Sequence, residues 1–153
     1  VEINPKATAA GFVGAFAVAA TLIMHFEGYT TSERSDPVGN HEICWGHKGN
    51  IKIETKAGCI ALLKKDIDNA NSVIDKYVKV PITQNQRGEL IDFIYNEGGG
   101  SFSSSTLLKK LNKGDYAGAC SELSNWVYAG DEVFNGLITR RAAEEALCME
   151  GVK

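Results

Sequence analysis

Phe26-Glu27-Gly28, Asp36-Pro37-Val38-Gly39 and Ile43-Cys44-Trp45-Gly46-His47 punctuate residues 26–47, and the change of pattern across this stretch decides the fold class. Before it lies an apolar run of helical length. Within it the chain is rich in Thr, Ser, Gly and Asn, with short β-prone pieces. After it, apolar residues return every three or four positions, the period of a helix face. Glu27-Gly28 reads as a helix end, with Gly28 as the residue just beyond it. Asp36-Pro37-Val38-Gly39 reads as a turn, Pro at its second position and Gly at its fourth. Residues 29–54 are therefore expected to form a small, twisted β-hairpin region. The fold class is α+β: this small hairpin region, then a mainly helical lobe.

The downstream helices carry their own start and stop signals. Ile60, Leu63, Ile67, Ala70, Ile74 and Tyr77 mark one helix face, and Pro81 stops that helix. Thr83-Gln84-Asn85-Gln86 is a capping box that opens the next helix, which carries Leu90, Ile91 and Ile94 and ends at Gly98-Gly99-Gly100. Ser105 or Thr106 caps a short helix through Leu111. Asp115 caps another running to about Tyr128, and a last helix follows Gly136, from Ile138 to Met149. No repeat or low-complexity linker interrupts this order.

Upstream, Ala7 to Phe26 contains no Asp, Glu, Lys or Arg. Twenty residues is about the length needed to cross a bilayer. Seven of them are Ala and two are Gly, so the segment is only weakly hydrophobic. Three readings compete: a cleaved signal peptide, a buried helix of a soluble domain, and a marginal membrane span able to leave the bilayer. The small residues favour the last, because they offer little apolar area to lipid and pack closely against protein. Lys6 precedes the segment, as a cytoplasmic flank requires. A first residue of Val rather than Met leaves room for residues ahead of it.

The bulk numbers exclude little and frame the rest. The 153 residues suit one domain with a real core, and 44% apolar with 23% charged residues is ordinary for a folded protein. A net charge of −3 gives no basic field for nucleic acid or an anionic surface. Cys44, Cys59, Cys120 and Cys148 include no tight pair of the zinc-ligand type. Two disulfides formed in an oxidising compartment are expected, against the alternative of four buried thiols. Of the three pairings, Cys44–Cys59 and Cys120–Cys148 each close a short loop, worth roughly 3 kcal/mol apiece.

Glycosidic hydrolysis takes one carboxylic acid to protonate the leaving oxygen and a second carboxylate to activate water or attack the sugar. Glu27 and Asp36 form a candidate pair, with Glu27 expected at a helix end beside apolar neighbours. Two carboxylates at that spacing are weak evidence alone. Their surroundings are not: the three stretches quoted above resemble the phage lysozyme (endolysin) family, whose signature is Glu, eight residues, Asp, five residues, Thr. The resemblance continues through Phe93-Ile94-Tyr95-Asn96-Glu97-Gly98, through the run from Ser101 to Tyr116, and through Trp126, Ala129-Gly130, Gly136-Leu137 and Arg140-Arg141. It implies a lysozyme-like fold and hydrolysis of the β-1,4 bond between N-acetylmuramic acid and N-acetylglucosamine, with Glu27 and Asp36 catalytic and Asn96 at the cleft.

The apolar segment before Glu27 further resembles the signal-arrest-release endolysins, exported while tethered to the inner membrane and active after release to the host periplasm. The implied division is a release segment over 1–26 and a muramidase domain over 27–153. The segment holds no cysteine, which argues against a thiol switch within it. Extraction of residues 7–26 and their refolding onto the domain would reposition Glu27.

One position departs from the family. Its Thr falls on Glu42, whose larger, charged side chain occupies the place of the attacking water. Glu42 then either blocks turnover or attacks the anomeric carbon, giving a glycosyl–enzyme ester whose hydrolysis makes a retaining enzyme and whose persistence makes a trapped adduct; an enzyme impaired or trapped in this way is the expectation. An introduced and a natural origin for Glu42 are both open. The rival class is an inactive peptidoglycan-binding or membrane-tethered scaffold; a lytic transglycosylase is disfavoured by the intact Asp36. His47 reads as a structural hydrogen-bonding residue, Arg140 and Arg141 as structural or surface residues, and Trp45 and Trp126 as packing residues. His25 and His41 show no metal-ligand pattern, and nothing signals a cofactor or an obligate oligomer.

Overall fold

Residues 9–36, 39–52 and 54–152 are described by the structure, a computed structural model. Helix α1, Ala9–Glu27, ends where Gly28 takes a φ of +68°. It buries Ala15, Ala19, Leu22 and Ile23. Its main partner is helix α3, Gln84–Glu97. Small residues permit the close approach: a Cβ on Gly88 would sit 2.6 Å from Val18 Cβ and 2.9 Å from the Ala15 carbonyl oxygen. The described part of the apolar segment is thus a docked helix of the domain core. Among the described residues no helix is long and apolar enough to cross a membrane, a consequence of the alanines that make this packing possible.

The β region is a three-stranded antiparallel sheet, one strand more than a hairpin: β1 Thr30–Ser35, β2 His41–Cys44 and β3 His47–Lys48, in that spatial order. A register shift between Thr30 and Arg34 marks a bulge in β1, a device that re-aims side chains. Gly39 N–H donates to the Asp36 carbonyl at 3.0 Å, which closes the expected turn. Its middle residues, Pro37 and Val38, lie outside the described residues.

Helix α2, Lys56–Tyr77, is capped by the Thr55 hydroxyl and buries Cys59, Leu63, Ile67, Ala70 and Ile74. Ile60 is exposed, because Cys59 occupies the core-facing position one residue earlier. The helix stops at Tyr77, before Pro81. Asn112 takes up the loose backbone there, accepting from Lys79 N–H at 2.8 Å and donating to the Tyr77 carbonyl at 2.9 Å.

Thr83 and Gln86 form the reciprocal capping box of α3, whose residues 86–94 are buried on every side. A helix enclosed in this way is the hub of its lobe. Gly98 ends it, but Gly99 opens α4, Gly99–Ser103, so the glycine run joins two helices. Ser105 caps α5, Thr106–Asn112, and Asp115 caps α6, Tyr116–Glu122. A 3₁₀ turn, Leu123–Asn125, then breaks the helix well before Tyr128. Tyr128–Ala129 and Glu132–Val133 form a second hairpin, β4–β5, and α7 covers Asn135–Met149. Trp45 is buried, and Trp126 packs edge-on against Phe93 with ring centroids 5.2 Å apart. Disulfides join Cys44 to Cys59 and Cys120 to Cys148, tying the sheet to α2 and α6 to α7.

Candidate active site

Glu27 is the last residue of α1, so the docking of that helix sets where its carboxyl lies. Oε2 rests over the backbone of Gly46: a Cβ there would come within 2.5 Å of it, and Gly46 sits at φ +74°. Glycine is required on both counts. Cys44, two residues earlier, is held at φ +62°, a strained value for a residue with a side chain. The β2–β3 turn is thereby shaped around the Glu27 carboxyl.

The other oxygen, Oε1, accepts from Arg140 Nη1 at 2.7 Å. The neighbours of Glu27 are therefore not simply apolar, as the sequence suggested; a buried guanidinium faces it. Arg140 turns its Nε and Nη2 to the Asp92 carboxylate at 3.0 and 2.7 Å, a fork that fixes its plane. Burial works against the charge of Arg140, but Asp92 and Glu27 outweigh it and raise its proton affinity.

Beneath this pair lies a buried polar layer between α3 and α7. Arg141 donates to the Trp126 carbonyl at 2.8 Å, to both Glu144 oxygens at 2.6 Å, and to Asn96 Oδ1. Arg140 and Arg141 are thus structural and buried, not surface residues. Burial, then the hydrogen bond with Asp92, pushes the Glu144 carboxyl well above the usual range, with Arg141 pulling the other way. Glu89 is fully buried, and neither of its oxygens has a hydrogen-bond partner among the described residues. Burial first, then the charges of Glu144 and Asp92, raises its carboxyl well above the usual range. Tyr95 donates its hydroxyl to the Trp45 carbonyl, and burial raises its pKa far enough to keep it protonated.

A cavity of about 540 Å³ opens beside Glu27, walled by Asp36, Glu42 and Asn96 among others and flanked by Tyr128 and Phe134 of the second hairpin region. The site residues read from sequence, Glu27, Asp36, Glu42 and Asn96, all line it. Their engagements differ. The Asp36 oxygens accept from the Asn40 backbone N–H at 2.7 Å and from Asn40 Nδ2 at 2.8 Å, within the turn. Glu42, on the middle strand, accepts through Oε1 from Arg34 Nε at 2.7 Å. Asn96 has its carbonyl end held by Arg141 and lines the cavity. His47 Nδ1 pairs with Asp66 Oδ2 at 2.6 Å beside a smaller cavity of about 280 Å³, which also borders Gly46 and Tyr95.

Sequence reading missed Arg34, the tie between Arg140 and Glu27, and the hairpin that places Tyr128 at the cleft. Two adjacent arginines in an otherwise half-apolar helix were a usable sign of buried ion pairs. Nothing in the local pattern singled out Arg34.

Glu27, Asp36 and Glu42 bring three carboxyl groups to one cavity, and a pair of carboxyl groups flanking the scissile bond is what glycosidic hydrolysis requires. Comparison with known proteins points the same way. The phage lysozyme family model matches residues 24–144. The chain is 43% identical to a SAR-endolysin of Enterobacteria phage PA-2, over 95% of each chain. It is 42% identical to a SAR-endolysin of bacteriophage PS119, over 90% of this chain and 89% of that one. Among solved structures, the muramidase domain of SpmX from Asticaccaulis excentricus superposes with a TM-score of 0.77 at 30% identity, covering 93% of this chain and 96% of that one. The chain belongs to the phage lysozyme family and is a glycoside hydrolase of the muramidase class.

Proposed function

We propose that this protein is an endolysin that hydrolyses the β-1,4 bond between N-acetylmuramic acid and N-acetylglucosamine, with Glu27 as acid and Glu42 as the carboxylate that attacks. The carrying observation is that Glu27 and Glu42 face one cavity with one oxygen of each tied to an arginine. Glu27 Oε2 delivers a proton to the glycosidic oxygen as the bond to the anomeric carbon breaks. Glu42 Oε2 bonds to that carbon from the opposite face, giving a glycosyl ester. Glu27, now a carboxylate, takes a proton from water, and the hydroxide oxygen replaces Glu42 on the sugar. Asp36, which lines the same cavity and accepts from Asn40 within its turn, is the further catalytic carboxylate of the site. Asn96 contributes its amide nitrogen to substrate binding.

We further propose that residues 1–26 act as the release segment and 27–153 as the catalytic domain. In this reading residues 7–26 hold the chain in the inner membrane, and the monomer acts in the host periplasm once that helix has docked on α3. Equal activity in the tethered and released forms would sink the coupling.

The test of the chemistry is turbidity loss of permeabilised Gram-negative cells, with the parent beside Glu27→Gln and Glu42→Thr, followed by the anomeric configuration of fresh product. The parent should lyse cells with retention of configuration, and Glu27→Gln should not lyse them. Inversion in the parent would make Glu42 a base for water instead of the attacking group. A parent that is folded yet cleaves nothing and gains no sugar mass would leave a peptidoglycan-binding module.

A further inference from the structure

Arg34 touches both sides of the cleft, bonding Glu42 on the sheet and the Glu27 backbone at the end of α1. It lies on β1 as the Cα partner of Glu42 on β2, just after the bulge in β1. Its Nε donates to Glu42 Oε1 at 2.7 Å. Its Nη2 donates to the Glu27 carbonyl oxygen at 2.5 Å and lies 3.4 Å from that of Gly28. The Glu27 carbonyl is one of the four at the helix end that no intrahelical N–H can reach, so it needs an outside donor. A guanidinium is planar and rigid, with its donors in a fixed fork. One such group therefore links the backbone of the residue bearing the acid to the carboxylate opposite.

We propose that Arg34 is a positioning residue, a strut between the C-terminus of α1 and Glu42 that sets the separation of the two working carboxyls. The proposal rests on the reading of Glu27 and Glu42 given above. The placement of Glu27 comes from α1, and that of Glu42 from the sheet; these elements are joined in sequence only through Gly28 and Tyr29. Arg140 fixes the Glu27 side chain from the helical lobe. On the sheet side, Gly46 of the β2–β3 turn packs against the Glu27 carboxyl, and Arg34 holds Glu42 itself. A lysine has a single point of donation and cannot bond the carboxylate and the carbonyl in the same fixed geometry.

The experiment measures kcat and KM on soluble glycan for Arg34→Gln and Arg34→Lys, each in the parent and in Glu42→Thr, with the thermal midpoint of every variant. Displacement of a reacting group by about 1 Å costs on the order of 100-fold. Arg34→Gln should lose about that in kcat, with KM within about 3-fold and the thermal midpoint little changed. Arg34→Lys should recover only part of the loss. In Glu42→Thr the same Arg34→Gln change should cost less than about 3-fold, because its target is gone. An Arg34→Gln enzyme within about 3-fold of the parent overturns the proposal and leaves the hydrolase reading standing. Equal losses in both backgrounds also overturn it, since Arg34 would then support α1 alone. If Glu42→Thr has no turnover, the split between kcat and KM in the parent decides; a loss in KM, or one shared with the thermal midpoint, counts against a strut. If Arg34→Gln does not fold, Arg34→Lys is judged by the same split. A folded parent with no turnover and no adduct removes the hydrolase reading and this one with it.

Discussion

Replacing Glu89 by Leu should make the protein more stable, and the gain should grow with pH. Glu89 is fully buried on α3 and neither carboxyl oxygen has a hydrogen-bond partner among the described residues. Leaving a buried polar group unsatisfied costs about 1–3 kcal/mol, and a leucine of similar size has no such group. For a chain of this length that converts to roughly 2–4 °C in thermal midpoint per kcal/mol. The pH dependence has a definite sign. Burial raises the folded-state pKa of Glu89 above that of the unfolded chain. Below the usual glutamate range both states hold the proton, and the group's contribution is fully present. As pH rises past that range the unfolded carboxyl ionises while the folded one still holds its proton. Stability then falls by up to about 1.4 kcal/mol per pH unit until the folded group itself ionises. Thermal unfolding of both proteins at a series of pH values from 4 to 8, with disulfides intact, measures this. The midpoints should diverge toward neutral pH, with Glu89→Leu the higher. Parallel curves would mean that Glu89 is not a proton-holding acid in the folded state. A Glu89→Leu variant less stable than the parent at neutral pH would mean that the carboxyl makes contacts that offset its burial.

Three further outcomes follow from single contacts. Gly46→Ala places a Cβ at 2.5 Å from Glu27 Oε2 and at a positive φ; lytic activity should drop on the order of 100-fold by displacement of the acid, with a stability loss of about 1 kcal/mol by thermal unfolding. Gly88→Ala forces α1 off α3 at Val18 and Ala15; overpacking of this kind costs about 1–3 kcal/mol, and because Glu27 ends α1, kcat should fall with it in a steady-state assay. Opening the Cys120–Cys148 bond with a paired Ser substitution frees a 28-residue loop; the chain-entropy relation gives about 3–4 kcal/mol, read from urea unfolding.

The sequence by itself determined what is local. Thr55, Thr83, Ser105 and Asp115 cap helices because their side-chain oxygens reach N–H groups three residues on, a relation that needs no tertiary context. Gly28 and Gly39 close their turns for the same reason of short range. The family signature, a fixed spacing, marked Glu27, Asp36 and Glu42. What the sequence did not determine is what depends on elements meeting. Helical period alone included Ile60 in the buried face, yet Cys59, bonded to Cys44 on β2, is the residue that faces inward. The helix expected to reach Tyr128 gave way to a 3₁₀ turn and a hairpin, where the 122–126 backbone instead feeds its Trp126 carbonyl to Arg141. Arg140 lies 113 positions from Glu27, and Arg34 is joined to it by the path of a bulged strand. Charges choose partners by distance in space, and only the packing of α1 and α7 on α3 brings these within bonding distance.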